Sequence, residues 1–290
     1  MSKSKIEWTD RTWNPTIGCA RMSEGCRNCY AERMAHRHAS NPGTPAYHGL
    51  TKDGRWTGEV RLLPGRLGQP KRWRKPSMIF VDSMSDLFQH TIHDDYIVKV
   101  FEVMAETPRH TYQILTKRPA RMQRFLSAHY PEPLPNVWLG VSVEDQETAN
   151  KRVPLLLATP AAVRWISLEP MLGPVDLRPW LGRGLLTPGV RSRRWLNWVV
   201  LGGESGPGAR PMHPQWARDV RDQCKRAGVP FMFKQWGEWV TYRQQAPGAL
   251  GGKTERKPGW MLDCPDDFYR VGKRKAGRML DGELHDGYPK

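Results

Sequence analysis

Residues 77–116 read SMIFVDSMSDLFQHTIHDDYIVKVFEVMAETPRHTYQILT, and this stretch contains one complete strand–helix–strand pattern. Ser77–Asp82 (SMIFVD) and Thr111–Thr116 (TYQILT) are short and apolar nearly throughout, which is typical of strands buried on both faces. Between them, Asp94–Glu106 (DDYIVKVFEVMAE) places apolar residues at helical spacing behind two aspartates that favour a helix start. The stretch therefore predicts two parallel strands joined by a crossover helix.

The same alternation continues along most of the chain. Further strands are predicted at Asn136–Val143, Val163–Leu168, Trp198–Leu201 and Pro230–Lys234, and further helices at Ala120–Ala128, Gln146–Leu157 and Pro214–Ala227. Repeated strand–helix units with right-handed crossovers predict an α/β fold. We expect a partial or full TIM-type (β/α) barrel of parallel strands, with a loop that contains three cysteines (residues 18–29, the cysteine loop) near its N-terminus. An open doubly wound sheet is the alternative.

Two segments lack this alternation. Residues 40–74 are rich in Gly, Pro, Lys and Arg, and residues 241–290 contain many Gly, Lys and Arg residues without a clear period. Each segment is predicted to be either a substrate-facing loop or a flexible, solvated stretch. We therefore expect a barrel over residues 1–240, with a basic insertion at about 40–74. An irregular C-terminal extension over residues 241–290 is expected to pack on or near the active face, which is the end of the barrel where the parallel strands terminate.

The composition favours a polyanionic partner. The chain of 290 residues carries 45 Lys and Arg against 29 Asp and Glu, a formal net charge of +16. Such an excess favours nucleic acid or a nucleotide substrate, and a generally basic enzyme is the alternative. The 39% apolar content excludes a disordered chain. Without a signal-peptide pattern or a long apolar run, the sequence predicts a cytoplasmic protein with no membrane span, in the host cytoplasm if a phage encodes it.

Three of the five cysteines lie close together near the N-terminus. Cys19, Cys26 and Cys29 form a C-x6-C-x2-C motif. Three thiolates from one loop can bind three irons of a four-iron, four-sulfur cubane and leave the fourth iron without a protein ligand. The motif therefore predicts an iron–sulfur site at these cysteines.

Zinc and purely structural thiols are the alternatives for this motif. A closed zinc site needs four ligands, so zinc would require His36, His38 or Cys264 as the fourth. The remaining cysteines, Cys224 and Cys264, are expected to be incidental, the first a buried thiol and the second a tail thiol.

The cysteine motif is part of a wider resemblance. Residues 18–33 (GCARMSEGCRNCYAER) are followed by SMSDLF (83–88), LTKRP (115–119), LGVSVE (139–144), SLEP (167–170) and LGGESGPGARPMHP (201–214). In this combination, which covers nearly the whole chain, the sequence resembles a family of conserved phage and bacterial proteins with an N-terminal three-cysteine motif. That family is similar to radical S-adenosylmethionine (SAM) enzymes related to spore photoproduct lyase, which also have a tyrosine directly after the last cysteine. The superfamily usually has three residues between the first two cysteines, whereas six stand here.

The resemblance implies an enzyme that uses a 4Fe-4S cluster and SAM. SAM would bind the open iron, an external donor would supply an electron, and the resulting radical would abstract hydrogen from a substrate carbon. We expect an isomerase or lyase reaction on a nucleic-acid base or nucleotide, either DNA base hypermodification or isomerisation, or photoproduct-type repair. A non-catalytic iron–sulfur or zinc protein that binds nucleic acid is the alternative.

Polar residues that follow the predicted strands are the candidate site residues, because the C-terminal strand ends form the active face of a barrel. The candidates for cofactor binding are Tyr30, Ser83, Asp86, Lys117, Ser142, Glu144, Glu169, Gly202, Gly203 and Glu204. The candidates for catalysis are Lys117, Glu204, Gln235 and Glu238, and those for base stacking are Trp8, Trp13 and Trp236. For each residue the alternative is a structural hydrogen bond or a solvated charge. Carboxylates after three successive strands, at Glu144, Glu169 and Glu204, are the most distinctive pattern.

Overall fold

The computed structural model describes residues 4, 6–182, 195–244, 254–259 and 263–289. The helices are α1 Tyr30–Ala39, α2 Asp94–Ala105, α3 Pro119–His129, α4 Gln146–Ala158, α5 Pro214–Ala227 and α6 Lys273–Ala276, with 3-10 turns at Glu24–Cys26, Pro45–Tyr47, Pro64–Arg66, Pro70–Arg72 and Tyr242–Gln244. The strands are β1 Arg11–Trp13, β2 Thr16–Ile17, β3 Thr51–Lys52, β4 Arg55–Trp56, β5 Arg61–Leu62, β6 Met78–Val81, β7 Thr111–Thr116, β8 Val137–Val143, β9 Val163–Leu168, β10 Trp198–Gly202, β11 Phe231–Gln235, β12 Trp239–Thr241, β13 Arg256–Lys257, β14 Phe268–Arg270, β15 Met279–Leu280 and β16 Glu283–Leu284. Within these described ranges, no helix is long and apolar enough to cross a membrane.

Seven strands form one sheet in the order β1-β6-β7-β8-β9-β10-β11. The pairs β1–β6, β6–β7, β7–β8, β9–β10 and β10–β11 are parallel. Helices α2, α3, α4 and α5 follow strands β6, β7, β8 and β10 along the chain. The strand order never reverses, as it would in a doubly wound sheet. The predicted α/β fold of the partial (β/α) barrel type is therefore confirmed.

The chain divides into two compact units, and the first comprises residues 1–141 and 154–164. Its parallel strands begin with β1, which was not predicted from the sequence. Strand β1 pairs with β6, so that Arg11 lies opposite Ile79 and Trp13 opposite Val81. Helix α2 buries Ile97, Val100, Phe101 and Met104, the apolar positions that predicted it. Burial of this stripe against the first unit's core is the main force that holds α2 in place.

The insertion at residues 40–74 is a folded part of the first unit. Strands β3 and β4 form an antiparallel hairpin, and β5 pairs antiparallel with β2. Tyr47 and Leu50 are buried in one apolar cluster with Ile17 and Ala35 of the cysteine-loop region. The insertion therefore contributes side chains to the core beside the cysteine loop.

A basic turn ends this insertion, formed by residues 71–75 (KRWRK). Trp73 is buried, while the four cations around it are exposed. Arg109 Nε donates to the carbonyl oxygen of Trp73 at 2.9 Å and Arg109 Nη2 to that of Lys71 at 3.1 Å. The guanidinium of Arg11 lies 4.9 Å from the centre of the Trp73 ring. These contacts fix the backbone from which the four cations project.

The second unit comprises residues 142–153 and 165–290. In it β10 pairs with β9 and β11, and every residue of β10 and β11 is buried. Residues 241–290 were predicted to be irregular, but most of an antiparallel sheet in the order β12-β14-β13, and the hairpin β15–β16, lie in this segment. Strands of two or three residues are too short for a period to be visible in sequence. Residues 245–253 and 260–262 of this extension lie outside the described residues, and the division into a barrel and an extension stays a prediction.

Candidate metal centre and strand-end residues

The cysteine loop connects β2 to α1 in the first unit. It begins at Gly18, whose N–H donates to the carbonyl oxygen of Met84 at 3.0 Å and whose φ is +98°. A Cβ at this position would clash with the carbonyl oxygen of Glu59. Only glycine fits there, so the backbone packing determines the residue directly before Cys19.

The three predicted ligands lie at separate points of this loop. Cys19 follows β2, Cys26 ends a 3-10 turn, and Cys29 is the N-cap residue of α1. None of the three cysteines forms a disulfide, and all three residues are partly exposed. The loop therefore offers three thiols that are not in disulfides, the number of protein ligands that a cubane with one open iron requires.

The three thiols lie within electrostatic reach of one another. Burial raises the pKa of Cys19 to about 12, and Cys29 and Cys26 are among the smaller causes that raise it further. Burial also raises the pKa of Cys29, whereas the backbone N–H groups of Glu32 and Ala31 at the start of α1 lower it. Thiols bind metals as thiolates, so uptake of a metal by this loop would release protons.

The chemistry of this donor set fits an iron–sulfur cluster. Thiolates are soft ligands that select iron–sulfur or zinc over hard cations. Among the described residues, no group of three or more His, Cys, Asp and Glu side chains is arranged to hold a single metal ion. In a cubane each cysteine binds a different iron, so the three thiols need not converge on one point.

The residues considered as a fourth zinc ligand have other contacts. His36 Nδ1 lies 3.3 Å from Thr51 Oγ1, and the ring of His38 packs against that of Tyr47 with centroids 4.8 Å apart. Cys264 belongs to a small apolar cluster of the second unit and is only 7% exposed. Cys264 is therefore a buried thiol of the C-terminal segment, and its incidental role stays a prediction.

Asp86 connects the cysteine loop to the end of β7. Its carboxylate accepts hydrogen bonds from Thr116 Oγ1 at 2.7 Å, the Lys117 N–H at 3.1 Å and Arg118 Nη1 at 2.8 Å. Arg118 Nη2 in turn donates to the carbonyl oxygen of Ala20 in the cysteine loop at 3.0 Å. In the structure Asp86 orients Arg118 against the loop, and a direct role of Asp86 in cofactor binding stays a prediction.

Three other predicted cofactor-binding residues lie next to the cysteine loop. The Tyr30 hydroxyl donates to the carbonyl oxygen of Ser83 at 2.7 Å, and Tyr30 is 45% exposed. Lys117 Nζ donates to Ser23 Oγ within the loop at 3.3 Å. The first unit thus brings Tyr30, Ser83 and Lys117 together with the three cysteines.

In the second unit, Glu144 follows β8 and forms a buried ion pair with Arg152 of α4. Arg152 Nη1 lies 3.0 and 3.2 Å from the two carboxylate oxygens, and it donates to the carbonyl oxygen of Ser142 at 2.8 Å. The Glu144 side chain is 1% exposed. Arg152 was missed because its position on α4 depends on how the helix packs, which the sequence does not display.

Glu169 lies after β9, where it contacts two residues of β11. Lys234 Nζ donates to both carboxylate oxygens, at 2.7 and 2.8 Å, and Gln235 Nε2 lies 3.3 Å from Oε1. Gln235 Nε2 also donates to the carbonyl oxygen of Gly203 at 2.8 Å. The other amide atom of Gln235, Oε1, is buried and has no hydrogen-bond partner among the described residues.

Glu204 follows β10, and its carboxylate is held by Arg210. Arg210 donates from Nη2 to Oε1 at 2.7 Å, and from Nε and its backbone N–H to Oε2 at 2.9 and 2.8 Å. The remaining catalytic candidate, Glu238, accepts from the N–H of Gly206 at 2.8 Å. Each of the three strand-end carboxylates therefore has a cationic partner within the second unit.

Two further results differ from the sequence analysis. Trp8, Trp13 and Trp236 are at most 2% exposed, so the expectation that they stack on bases is wrong. A second acidic residue near the cysteines, Glu32, was missed, as was its partner Arg21. The only available signal was that Glu32 falls in the first turn of a helix that starts at the last cysteine.

The comparisons with known proteins place the chain in one family. Residues 3–289 match the model of the family described as "Protein of unknown function (DUF5131)", so the chain belongs to that family. Among curated proteins there is no significant match. Among solved structures, a cysteine-to-serine variant of spore photoproduct lyase aligns at 12% identity with a TM-score of 0.43, covering 92% of this chain and 70% of that one. A variant with bound AdoMet and dinucleoside spore photoproduct aligns at 11% identity and 0.44, covering 93% and 71%.

Proposed function

We propose that this chain is a radical SAM enzyme of the isomerase or lyase class that holds a 4Fe-4S cluster on Cys19, Cys26 and Cys29. The proposal rests on one observation: a single loop presents three partly exposed thiols that interact with one another. When bound, such a cluster supplies the electron that cleaves SAM and generates a 5′-deoxyadenosyl radical. The electron itself would come from an external donor.

The chain's own residues would bind and orient SAM. In the first unit, the Lys117 ammonium beside the cysteine loop suits a carboxylate ligand, and the phenol of Tyr30 and the hydroxyl of Ser83 offer hydrogen bonds. Asp86 would act by holding Arg118 in place. The other proposed cofactor-binding candidates belong to the second unit and are Ser142, Glu144, Glu169, Gly202, Gly203 and Glu204.

The proposed substrate is a nucleic-acid base or nucleotide. The net charge of +16 favours a polyanion, since each neutralised phosphate releases counterions. Gln235, whose amide lies beside Glu169 and Lys234, is the proposed hydrogen-bonding partner for a base. The two proposed reactions on such a substrate are repair of a base photoproduct and hypermodification or isomerisation of a DNA base. Lys117, Glu204, Gln235 and Glu238 are the proposed candidates for catalysis.

Anaerobic reconstitution with iron and sulfide tests the proposal. The wild type should bind about four irons and four sulfides per chain, and after reduction with SAM it should release 5′-deoxyadenosine. Variants Cys19→Ala, Cys26→Ala and Cys29→Ala should lose both the cluster and the product while remaining folded. Cys224→Ala, at a fully buried thiol, and Cys264→Ala are the matched controls and should keep both.

The results also separate the alternative functions. A cluster that assembles but neither binds nor cleaves SAM would support a non-catalytic iron–sulfur protein instead. Stoichiometric zinc that resists replacement by iron would support a zinc protein. Release of 5′-deoxyadenosine by the triple cysteine variant would contradict the proposal outright.

A further inference from the structure

We propose that Arg21 and Glu32 form a clamp that positions the cysteine loop and places a fixed cation beside the loop segment that carries Cys26. This inference rests on the proposed function for its redox consequence, but its geometric part concerns the loop alone. Neither residue is a candidate ligand, so both are positioning residues.

Glu32 is the buried half of the clamp. It lies in the first turn of α1 and is 2% exposed. Its Oε1 accepts hydrogen bonds from Arg21 Nε at 3.0 Å and from the backbone N–H of Trp56 at 2.7 Å. Its Oε2 accepts from Arg21 Nη2 at 2.5 Å. A desolvated carboxylate needs this full set of partners, because a buried and unpaired charge is strongly destabilising.

Arg21 extends the clamp to the other side of the cysteine loop. Its Nη2 also donates to the carbonyl oxygen of Arg27 at 3.2 Å, and Arg55 Nη1 donates to the same oxygen at 3.3 Å. Arg55 and Trp56 together form strand β4 of the insertion. The clamp therefore ties two points of the cysteine loop to α1 and to the hairpin β3–β4.

The positions of these two points give the clamp its effect on the ligands. Arg21 stands between Cys19 and Cys26, and Arg27 stands between Cys26 and Cys29. The clamp thus contacts both the segment between Cys19 and Cys26 and the segment between Cys26 and Cys29. It therefore restricts the distances between the three thiols. The long first interval is the part of the motif that most needs such a restraint, because loop-closure entropy rises with loop length.

The clamp also has an electrostatic effect. The guanidinium of Arg21 cannot lose its proton in a protein, and its Nη2 donates to the carbonyl oxygen of Arg27, the residue directly after Cys26. Arg21 is thus a permanent cation beside the loop segment that carries Cys26. A fixed cation stabilises added negative charge, so it should make the reduction potential of a cluster on this loop less negative.

The geometric claim is tested on the full chain without its cluster. Iodoacetamide labelling of Cys19, Cys26 and Cys29, followed by mass spectrometry, reports how often the loop opens. Glu32→Gln and Arg21→Lys should both raise the labelling rate of Cys26 by about tenfold, since each breaks the bidentate pair. Arg37→Gln removes a cation from an exposed position on the same helix and should leave the rate unchanged. Equal rates in all four proteins, with unchanged circular dichroism, would overturn the clamp.

The electrostatic claim is tested on the reconstituted protein by redox titration with electron paramagnetic resonance. Arg21→Gln should shift the potential to a more negative value, Arg21→Lys should largely restore it, and Arg37→Gln should not change it. An unchanged potential in Arg21→Gln would overturn this claim. If no protein, wild type included, takes up a cluster, the proposed function fails, while the labelling experiment still decides the geometric claim.

Discussion

Thr16 holds both carboxylate oxygens of Asp82, with its N–H 3.0 Å from Oδ1 and its hydroxyl 2.9 Å from Oδ2. Asp82 is the first residue after β6, has a φ of +57° and is 3% exposed. Its side chain thereby joins the end of β6 to strand β2, directly before the cysteine loop. Burial raises the pKa of Asp82 to about 8, although the two hydrogen bonds from Thr16 oppose this rise.

The first prediction concerns the pH dependence of stability. With a folded pKa near 8, Asp82 keeps its proton in the native state at pH values where the unfolded chain, with a pKa of about 3.9, has lost it. The native state then binds more protons, so the free energy of unfolding should fall as the pH rises from about 4 to 8. Asp82→Asn removes this titration, retains partners for Thr16 and suits a positive φ. Urea unfolding at pH 5.5 and pH 8 should show a loss on the order of 2 kcal/mol in the wild type and a smaller one in the variant.

A matched control for this experiment is Glu147→Gln, at an exposed acid on α4. This variant should retain the pH dependence of the wild type, because an exposed ion pair contributes little. If Asp82→Asn and the wild type lose the same stability between the two pH values, Asp82 is ionised in the folded protein.

The second prediction concerns the pair formed by Glu169 and Lys234. Removing one partner should leave a largely buried charge, so Lys234→Met should destabilise the second unit by about 2–3 kcal/mol. The double variant Glu169→Gln/Lys234→Met should be less destabilised than the sum of the single variants, and thermal unfolding of the four proteins gives this coupling. If the pair also contacts SAM or substrate, the double variant will recover stability without recovering binding. Strict additivity of the two effects would rule out the coupling.

Features of the fold and of the site could be predicted from the sequence where they depend on neighbouring residues in the chain. Features that depend on contacts made by folding could not. Strands β6 to β11 were identified because buried parallel strands are apolar at consecutive positions, a local property. Strand β1 was missed because Arg11–Trp13 is short and two of its three residues are polar. The carboxylate at Glu144 was marked as a site candidate, but its partner Arg152 depends on helix packing. The Arg21–Glu32 clamp likewise depends on the fold of the loop, and no pattern of spacing indicates it.

The third prediction concerns the basic turn at residues 71–75. If this turn contacts the backbone of a nucleic acid, Arg72→Gln/Arg74→Gln should weaken binding and reduce the slope of log K against log salt concentration by about 1–2 units. The matched control, Lys225→Gln/Arg226→Gln, removes two exposed cations at the end of α5 and should leave the slope unchanged. Fluorescence anisotropy with a labelled oligonucleotide across a salt series measures both. An equal reduction in the two variants would show that only the total charge matters.

The fourth prediction separates two roles of the paired glycines after β10, close approach of a ligand and close approach of the protein's own backbone. A Cβ on Gly203 would clash with the carbonyl oxygen of Trp236, which is a backbone atom and cannot move without a shift of the main chain. A Cβ on Gly202 would lie 3.3 Å from Gln235 Nε2 and 3.4 Å from the Glu169 carboxylate, which are side-chain ends that can adjust. Gly203→Ala should therefore cost about 2 kcal/mol or more, whereas Gly202→Ala should cost clearly less.

Gly65→Ala is the control for this comparison, because nothing lies within 4 Å of the added Cβ and the backbone φ there is not positive. It should be close to neutral in chemical denaturation. The informative protein is Gly202→Ala, which is expected to fold and can then be assayed for SAM binding. Loss of SAM affinity in a stable Gly202→Ala protein would indicate that a ligand approaches this backbone. Full SAM affinity would mean that the glycine pair is needed only for packing within the protein. The clash of a Cβ at Gly203 with the Trp236 carbonyl oxygen would then explain why glycine occurs there.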